Sequence, residues 1–214
     1  MGGGLNKLTF LEDQQNPVFI HYKNNHNDKY SISINDISTL YLDREKILWI
    51  GTWGGGLNKM IQHPNDNSLV GFISYKHDPL DIFSLIDDNV NCIYEDNSGM
   101  LWVSTAGAGL HINDKKQKQF KLYANQPNNK YSLSSTAVMS VYEDREGTRW
   151  IGTRDGGLNR MEKGSNKFIH YKHDPLDPNS LSDNNVSSIY EDKQGILWVG
   201  TSNGGLNKFD RKTE

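Results

Sequence analysis

Residues 189–207 read IYEDKQGILWVGTSNGGLN, and the same phrase recurs as YEDREGTRWIGTRDGGLN over 142–159, YEDNSGMLWVSTAGAGLH over 94–111 and YLDREKILWIGTWGGGLN over 41–58. The opening MGGGLNK is the tail of a further copy. Self-similarity at a period of roughly 50 residues marks an array of one supersecondary unit, each copy burying its apolar faces against its neighbours.

Four landmarks recur in phase. An apolar residue opens a short strand at Ile37, Val90, Val138 and Val186, and Trp49, Trp102, Trp150 and Trp198 each follow 12 positions later. Leu57, Leu110, Leu158 and Leu206 follow their tryptophans by 8. A Phe-x-x-Tyr pair closes each unit at Phe19/Tyr22, Phe72/Tyr75, Phe120/Tyr123 and Phe168/Tyr171. Only the interval from Leu to the following Phe varies, so insertions are confined to one connection.

Each unit therefore predicts four strands, a to d, rich in β-branched and aromatic residues and bounded by Gly, Asn, Asp or Ser. Between a and b, Asp-x-x-Gly (Asp96/Gly99, Asp144/Gly147, Asp192/Gly195) predicts a tight hairpin, because Asp bonds backbone N–H groups two residues on and Gly accepts positive φ. Lys46 replaces that Gly in the first full copy, which predicts a looser turn. Glycine-rich loops of constant length join b to c. Antiparallel hairpins at both places exclude a parallel β-helix, and the lack of a 3.6-residue apolar period excludes helical solenoids.

Four-stranded meanders repeating every 48 to 53 residues are propeller blades. The expected fold is all-β, a single β-propeller domain over 1–214 with four full repeats plus a spare strand. That count suits a four-bladed ring closed by N- and C-terminal strands, a five-bladed ring, or an arc of a larger propeller. An arc would leave apolar blade faces open and favour association. Gly51, Gly152 and Gly200 are expected to leave room for an aromatic ring of the next blade, with Ser104 in that place in the third unit.

Composition narrows the function classes. Lys and Arg total 23 against 26 Asp and Glu, interspersed, for a net charge of -3, so no basic stripe is available for nucleic acid or an anionic membrane. Cys92 is the only cysteine, which excludes an internal disulfide and any Cys-based zinc or CxxC redox site. No apolar run of about 18 residues and no secretory signal pattern is present. Met1 falls in mid-repeat, as expected of a piece of a longer protein.

The pattern VSSIYEDKQGILWVGTSNGGLNKFD, with SLSDNNV before it and FIHYKHDP between units, resembles the two-component regulator propeller repeat of bacterial sensor proteins, above all hybrid histidine kinases. The resemblance covers nearly the whole chain. It implies a non-catalytic sensor region located in the periplasm, ahead of a transmembrane helix and a cytoplasmic output domain, with carbohydrate sensing as the best-known role. Expected partners are an oligosaccharide or other small ligand, an output domain or partner subunit, and further copies of the chain completing the propeller.

In a meander blade the d-to-a crossing and the b-to-c hairpin emerge on one face. Residues that differ between copies there are the best ligand candidates, since the scaffold does not need their side chains. They are Trp53, Arg154, Asp155 and Asn203 in the b–c loops, and Asn35, Asn89 and Asn185 at the crossings, beside Thr136. An aromatic platform with Arg, Asp and Asn suits the apolar face and hydroxyls of a sugar, whereas the Asn and Asp residues also sit where Asx turns place them without any ligand. His77 with His173, and His21 with His170, are in-phase copies and are expected to hold no metal. Glu95, Glu143 and Glu191 are read as solvated turn residues rather than a glycosidase pair. GTWGGGLN lacks the Lys-Ser/Thr ending of a phosphate loop. No cofactor or catalytic constellation is expected. The alternatives to a ligand sensor are a protein-interaction propeller and, behind it, a propeller lyase or hydrolase.

Overall fold

The computed structural model describes residues 2–10, 17–65, 69–114 and 119–211. It falls into two compact units, Met1–Val90 and Asn91–Glu214. No helix occurs among the described residues, and every sheet is antiparallel. In the first unit β1 (Leu5–Thr9) and β2 (Val18–Tyr22) form a two-stranded sheet. β3 (Ile37–Leu42), β4 (Leu48–Thr52), β5 (Leu57–Gln62) and β6 (Val70–Tyr75) follow as a four-stranded meander.

The second unit continues with β7 (Val90–Glu95), which starts on the unit boundary, β8 (Leu101–Thr105), β9 (Gly109–Asp114) and β10 (Gln119–Tyr123). A second meander contains β11 (Val138–Glu143), β12 (Arg149–Thr153), β13 (Leu158–Met161) and β14 (Phe168–Tyr171). The last sheet has three strands, β15 (Val186–Glu191), β16 (Leu197–Thr201) and β17 (Gly205–Phe209). The blades are thus the expected four-stranded ones. The mixed N- and C-terminal blade considered from the strand count is not among the described sheets.

One latch repeats in each full copy. The turn aspartate caps its own hairpin through Oδ1, which accepts from the amides of Ile47, Met100, Thr148 and Ile196 in the four copies. Its Oδ2 accepts from the indole Nε1 of Trp49, Trp102, Trp150 and Trp198 at 2.8–2.9 Å. The only polar atom of a core tryptophan is therefore satisfied inside its own blade, and the rest of the ring is left to pack. Lys46 does not loosen the first turn. It takes the left-handed conformation itself (φ 65°) and keeps the 3.0 Å bond from its amide to Asp43 O, as Gly99 does with Asp96. The cap holds the strained residue in place.

Between blades the packing is in phase. In the second unit Trp102 and Leu110 are buried with Val138, Val141, Ile151, Met161 and Phe168 of the next sheet. Trp150 and Leu158 are buried in the same way with Val186, Leu197 and Val199. In the first unit Leu5 packs with Ile32, Ile50 and Phe72. Gly152 admits not an aromatic ring, as expected, but Val186, whose Cγ1 would lie 2.7 Å from a Cβ at that glycine. Gly51 does the same for Val90. A β-bulge after the opening residue, between Val138 and Ser140 and between Val186 and Ser188, turns strand a at this contact.

The glutamates at the ends of the a strands are not solvated. Glu95, Glu143 and Glu191 are buried, at 4, 8 and 5 % exposure. Glu143 accepts from the Asn97 side chain at 2.8 Å, and Glu191 from the Arg145 amide at 2.9 Å, so each binds the turn of the preceding sheet. Arg149 joins Asp96 (2.8 Å) and Glu143 (3.5 Å) while lying over Trp102, and Arg211 joins Asp144 (3.0 Å) and Glu191 (2.9 Å). These carboxylates fasten blades to one another.

Candidate functional site

The d-to-a crossings are stiff, self-bonded segments. In the copy over 174–181, Ser180 Oγ donates to Asp174 O (2.9 Å) and accepts from the Asp174 amide (2.9 Å), while Asp174 Oδ1 accepts from the Leu176 amide. The 78–85 crossing repeats the arrangement around Ser84. Each crossing plants one apolar side chain in the core: Ile32, Leu85, Leu133 and Leu181 are all under 9 % exposed. This plug is not legible from the sequence pattern alone, although a Ser directly before it, and four places before the variable residues, recurs at Ser31, Ser84, Ser132 and Ser180. The histidines serve the same purpose. His77 Nδ1 donates to Leu85 O (2.8 Å) and His173 Nδ1 to Leu181 O (2.6 Å). His170 Nε2 donates to Ser132 O, and His21 contacts Asn6 on the neighbouring strand. Among the described residues no cluster of three or more His, Cys, Asp or Glu is placed to hold a metal.

On these crossings the b–c loops are pinned at both sides. In the first unit the Trp53 amide donates to Asp36 O (3.0 Å), Trp53 forms an antiparallel bridge with Asn89, and the Gly54 and Gly56 amides donate to Asp88 O. Gly56 is required here: its φ is 72°, and a Cβ would lie 2.2 Å from Tyr75 O. Trp53 and Asn89 are therefore brought together, with Asn35 next to Asp36. Asn35 holds the Asn24 amide with its Oδ1 (2.7 Å), and Asn89 donates through its amide and Nδ2 to Asp87 (2.9 and 2.8 Å). These two side chains carry turns, whereas the Trp53 indole remains 41 % exposed.

In the second unit the Arg154 amide donates to Ala137 O (2.9 Å) and the Gly157 amide to Asn184 O (2.9 Å). This loop and the crossing before it border an open pocket of about 270 Å³ lined by Asn125, Ser134, Ser135, Thr136 and Asp155. All five are polar. Ser134 is fixed by Asn159, whose Oδ1 accepts from its amide (2.9 Å) and whose Nδ2 donates to its Oγ (2.8 Å). Asn125 Nδ2 donates to Leu133 O (2.7 Å), and Ser135 Oγ accepts from the Ala137 amide (3.1 Å). The pocket wall is thus built from side chains already oriented by the scaffold, with the Asp155 carboxylate and Thr136 hydroxyl beside them. Arg154 is exposed and does not line it.

Asn185 and Asn203 also meet, at Asp183. Its Oδ1 accepts from the Asn185 amide (3.2 Å) and its Oδ2 from the amide and Nδ2 of Asn203 (both 3.1 Å). The Asn185 amide, with the Asn203 amide and side chain and the Asn184 amide, holds the Asp183 carboxyl below the usual carboxylate range against the opposing effect of desolvation. This cluster closes the loop onto its crossing.

A fold of four-stranded antiparallel blades with loops pinned to crossings on one face defines a propeller-repeat protein. The family model of the two-component regulator propeller matches residues 31–54, 84–107 and 180–203. Among solved structures, the extracellular domain assigned to the hybrid two-component system BT3049 of B. thetaiotaomicron is 27 % identical, with a TM-score of 0.78 over 99 % of this chain and 26 % of that one. The extracellular domain of BT4673, assigned as a one-component system of the same organism, is 21 % identical, with a TM-score of 0.69 over 94 % of this chain and 24 % of that one. A catalytically inactive variant of virginiamycin B lyase from Staphylococcus aureus with quinupristin shares the fold at 17 % identity and a TM-score of 0.57, over 98 % of this chain and 61 % of that one. The chain spans about a quarter of the length of the first two. No curated protein matches it as a relative. No helix among the described residues is long and apolar enough to cross a membrane.

Proposed function

We propose that the chain is a non-catalytic, ligand-binding part of a periplasmic sensor propeller, and that it recognises carbohydrate where the b–c loops meet the d-to-a crossings. The observation that carries this reading is the pocket lined by Asn125, Ser134, Ser135, Thr136 and Asp155. Amide, hydroxyl and carboxylate groups held in fixed orientation are the donors and acceptors that sugar hydroxyls need, and preorganised groups lose little entropy on binding. At about 270 Å³ the pocket lies just under the usual range for ligand pockets, about 300–1,000 Å³, which suits one sugar ring rather than a long oligomer. The Trp53 indole of the first unit offers a separate aromatic platform. Binding would be passed to an output domain, with no chemistry on the ligand.

Calorimetric titration with a panel of mono- and oligosaccharides tests this. At least one sugar should bind, and Asp155→Ala and Thr136→Ala should each weaken it about tenfold or more, the loss of one hydrogen bond to a charged or polar partner. A sugar bound with unchanged affinity by both variants would sink the site assignment, and turnover of the sugar would overturn the non-catalytic reading. The alternative, a propeller that docks a protein, is favoured by the crossing over 78–86, where Leu80, Ile82 and Phe83 are 93, 83 and 44 % exposed. Binding of no saccharide at all, with a partner protein retained through these three residues, would decide for it.

A further inference from the structure

The a–b turn of the 142–171 copy departs from its sisters. Thr148 stands where the other copies carry Ile47, Met100 and Ile196, and its amide binds Oδ1 of the turn aspartate as theirs do. The scaffold uses the backbone at this place and leaves the side chain open to change. A threonine is smaller than isoleucine or methionine and brings a hydroxyl. Beside it opens a pocket of about 310 Å³ lined by Thr148, Arg160, Met161, Glu162, Lys163 and Ile169. It is separate from the sugar pocket: Thr148 precedes β12 and Glu162 follows β13, whereas Asp155 lies in the loop that joins those strands at their other end.

The lining combines cations with apolar surface. The Arg160 guanidinium lies over the Tyr171 ring, 5.9 Å from its centre, and Lys163 Nζ donates to Glu146 O. Both cations are thus held at the pocket. The carboxylates around them have partners of their own: Glu162 Oε2 accepts from Ser165 Oγ (3.3 Å), and Glu146 pairs with Arg211 (3.7 Å). Two cations against one lining carboxylate make the pocket locally positive in a chain of net charge -3. Met161, 8 % exposed, and Ile169, which pairs with Arg160 across β13 and β14, supply the apolar wall.

We propose that this pocket binds a small organic carboxylate about the size of one sugar ring, a size that its volume accommodates. The head group is held by Arg160 and Lys163, with the Thr148 hydroxyl as a further donor, and the body rests on Met161 and Ile169. The site does not depend on the carbohydrate reading.

Amide chemical-shift titration of the full chain with hexanoate and with glucuronate, at constant ionic strength, tests it, with hexanol and inorganic sulfate as controls. At least one carboxylate should shift Thr148, Glu162, Lys163 and Ile169 saturably, while hexanol and sulfate leave them in place. Hexanoate alone would mark an aliphatic acid, glucuronate alone an acidic sugar, and both a site that reads the head group. Arg160→Gln and Lys163→Gln should each weaken binding about tenfold or more, the loss of one charge-assisted bond. Thr148→Ile installs the residue that two sister copies carry in the same turn, and it should fill the pocket and abolish the shifts. Near-ultraviolet circular dichroism identical to wild type shows that each variant is folded. No saturable shift with either carboxylate, equal shifts with hexanol or sulfate, glucuronate shifts confined to Thr136 and Asp155, or binding unchanged in all three folded variants overturns the proposal.

Discussion

Leu158 and Leu206 stand at the same place in the repeat, and one is fully buried while the other is 66 % exposed. Their strands read alike, LNRM and LNKF, and both follow a Gly-rich loop closed onto its crossing. The difference lies in what comes next. Leu158 has Val186 of the bulged strand β15 and Leu197 and Val199 of β16 against it, whereas no described sheet packs against Leu206 in this way. In an array fold, burial belongs to the junction rather than to the residue.

The largest expected contrast follows directly. Leu158→Ala should cost about 2–5 kcal/mol in urea unfolding, the range for a buried leucine that leaves a cavity. Leu206→Ala, measured where the chain is dilute, should stay within about 0.5 kcal/mol. Equal losses at the two sites would erase the distinction.

Next in size is the tryptophan latch. Asp96→Ala removes the acceptor of a buried indole N–H and the partner of Arg149, and should cost about 1–3 kcal/mol. Asp192→Ala, whose tryptophan is only half-buried, should cost less on the same urea scale.

The same carboxylate gives a pH dependence. Burial pushes the Asp96 carboxyl up, but hydrogen bonds from Ser98, Trp102 and the Met100 amide, with the charge of Arg149, outweigh it and hold the group below the usual range. A depressed carboxylate contributes stability that is present above its unfolded value of about 3.9 and is lost as pH falls through the folded value. Urea midpoints should therefore decline below about pH 4, and Asp96→Asn should flatten that decline. A variant with an unchanged acid limb would remove Asp96 from the explanation.

The smallest effect is at Lys46. Lys46→Gly should stabilise the first unit by roughly 1 kcal/mol in thermal or urea unfolding, since it relieves a left-handed non-glycine residue without touching the Asp43 cap.

Much of this fold is legible in the sequence because the repeat supplies its own alignment. In-phase Trp, Leu and Phe mark strands b, c and d, and Asp-x-x-Gly marks the hairpin, from local chemistry alone. Features made between copies were not legible. Glu143 looks like a turn residue within its own repeat, and only the neighbouring turn at Asn97 explains its burial. Gly152 makes room not for an aromatic ring but for the strand-opening Val186 of the next copy, a contact that its own repeat does not contain. Of the pocket, Asp155 and Thr136 are visible as departures from the repeat. Asn125, Ser134 and Ser135 are not, although the crossing at 134–136 runs Ser-Ser-Thr where the sister copies run Ser-Ile-Asn, Ile-Asp-Asp and Ser-Asp-Asn. Arg154 departs from the repeat just as clearly yet does not line it, since phase identifies a loop position but not which side chains border a pocket.

Amide hydrogen exchange on the dilute chain tests the junction account most directly, by comparing β13 with β17. The expected result is slow exchange for Asn159 and Met161, packed between sheets, and exchange orders of magnitude faster for Asn207 and Phe209 in the three-stranded sheet. Equal protection of the two strands, in a chain shown to be monomeric, would contradict it.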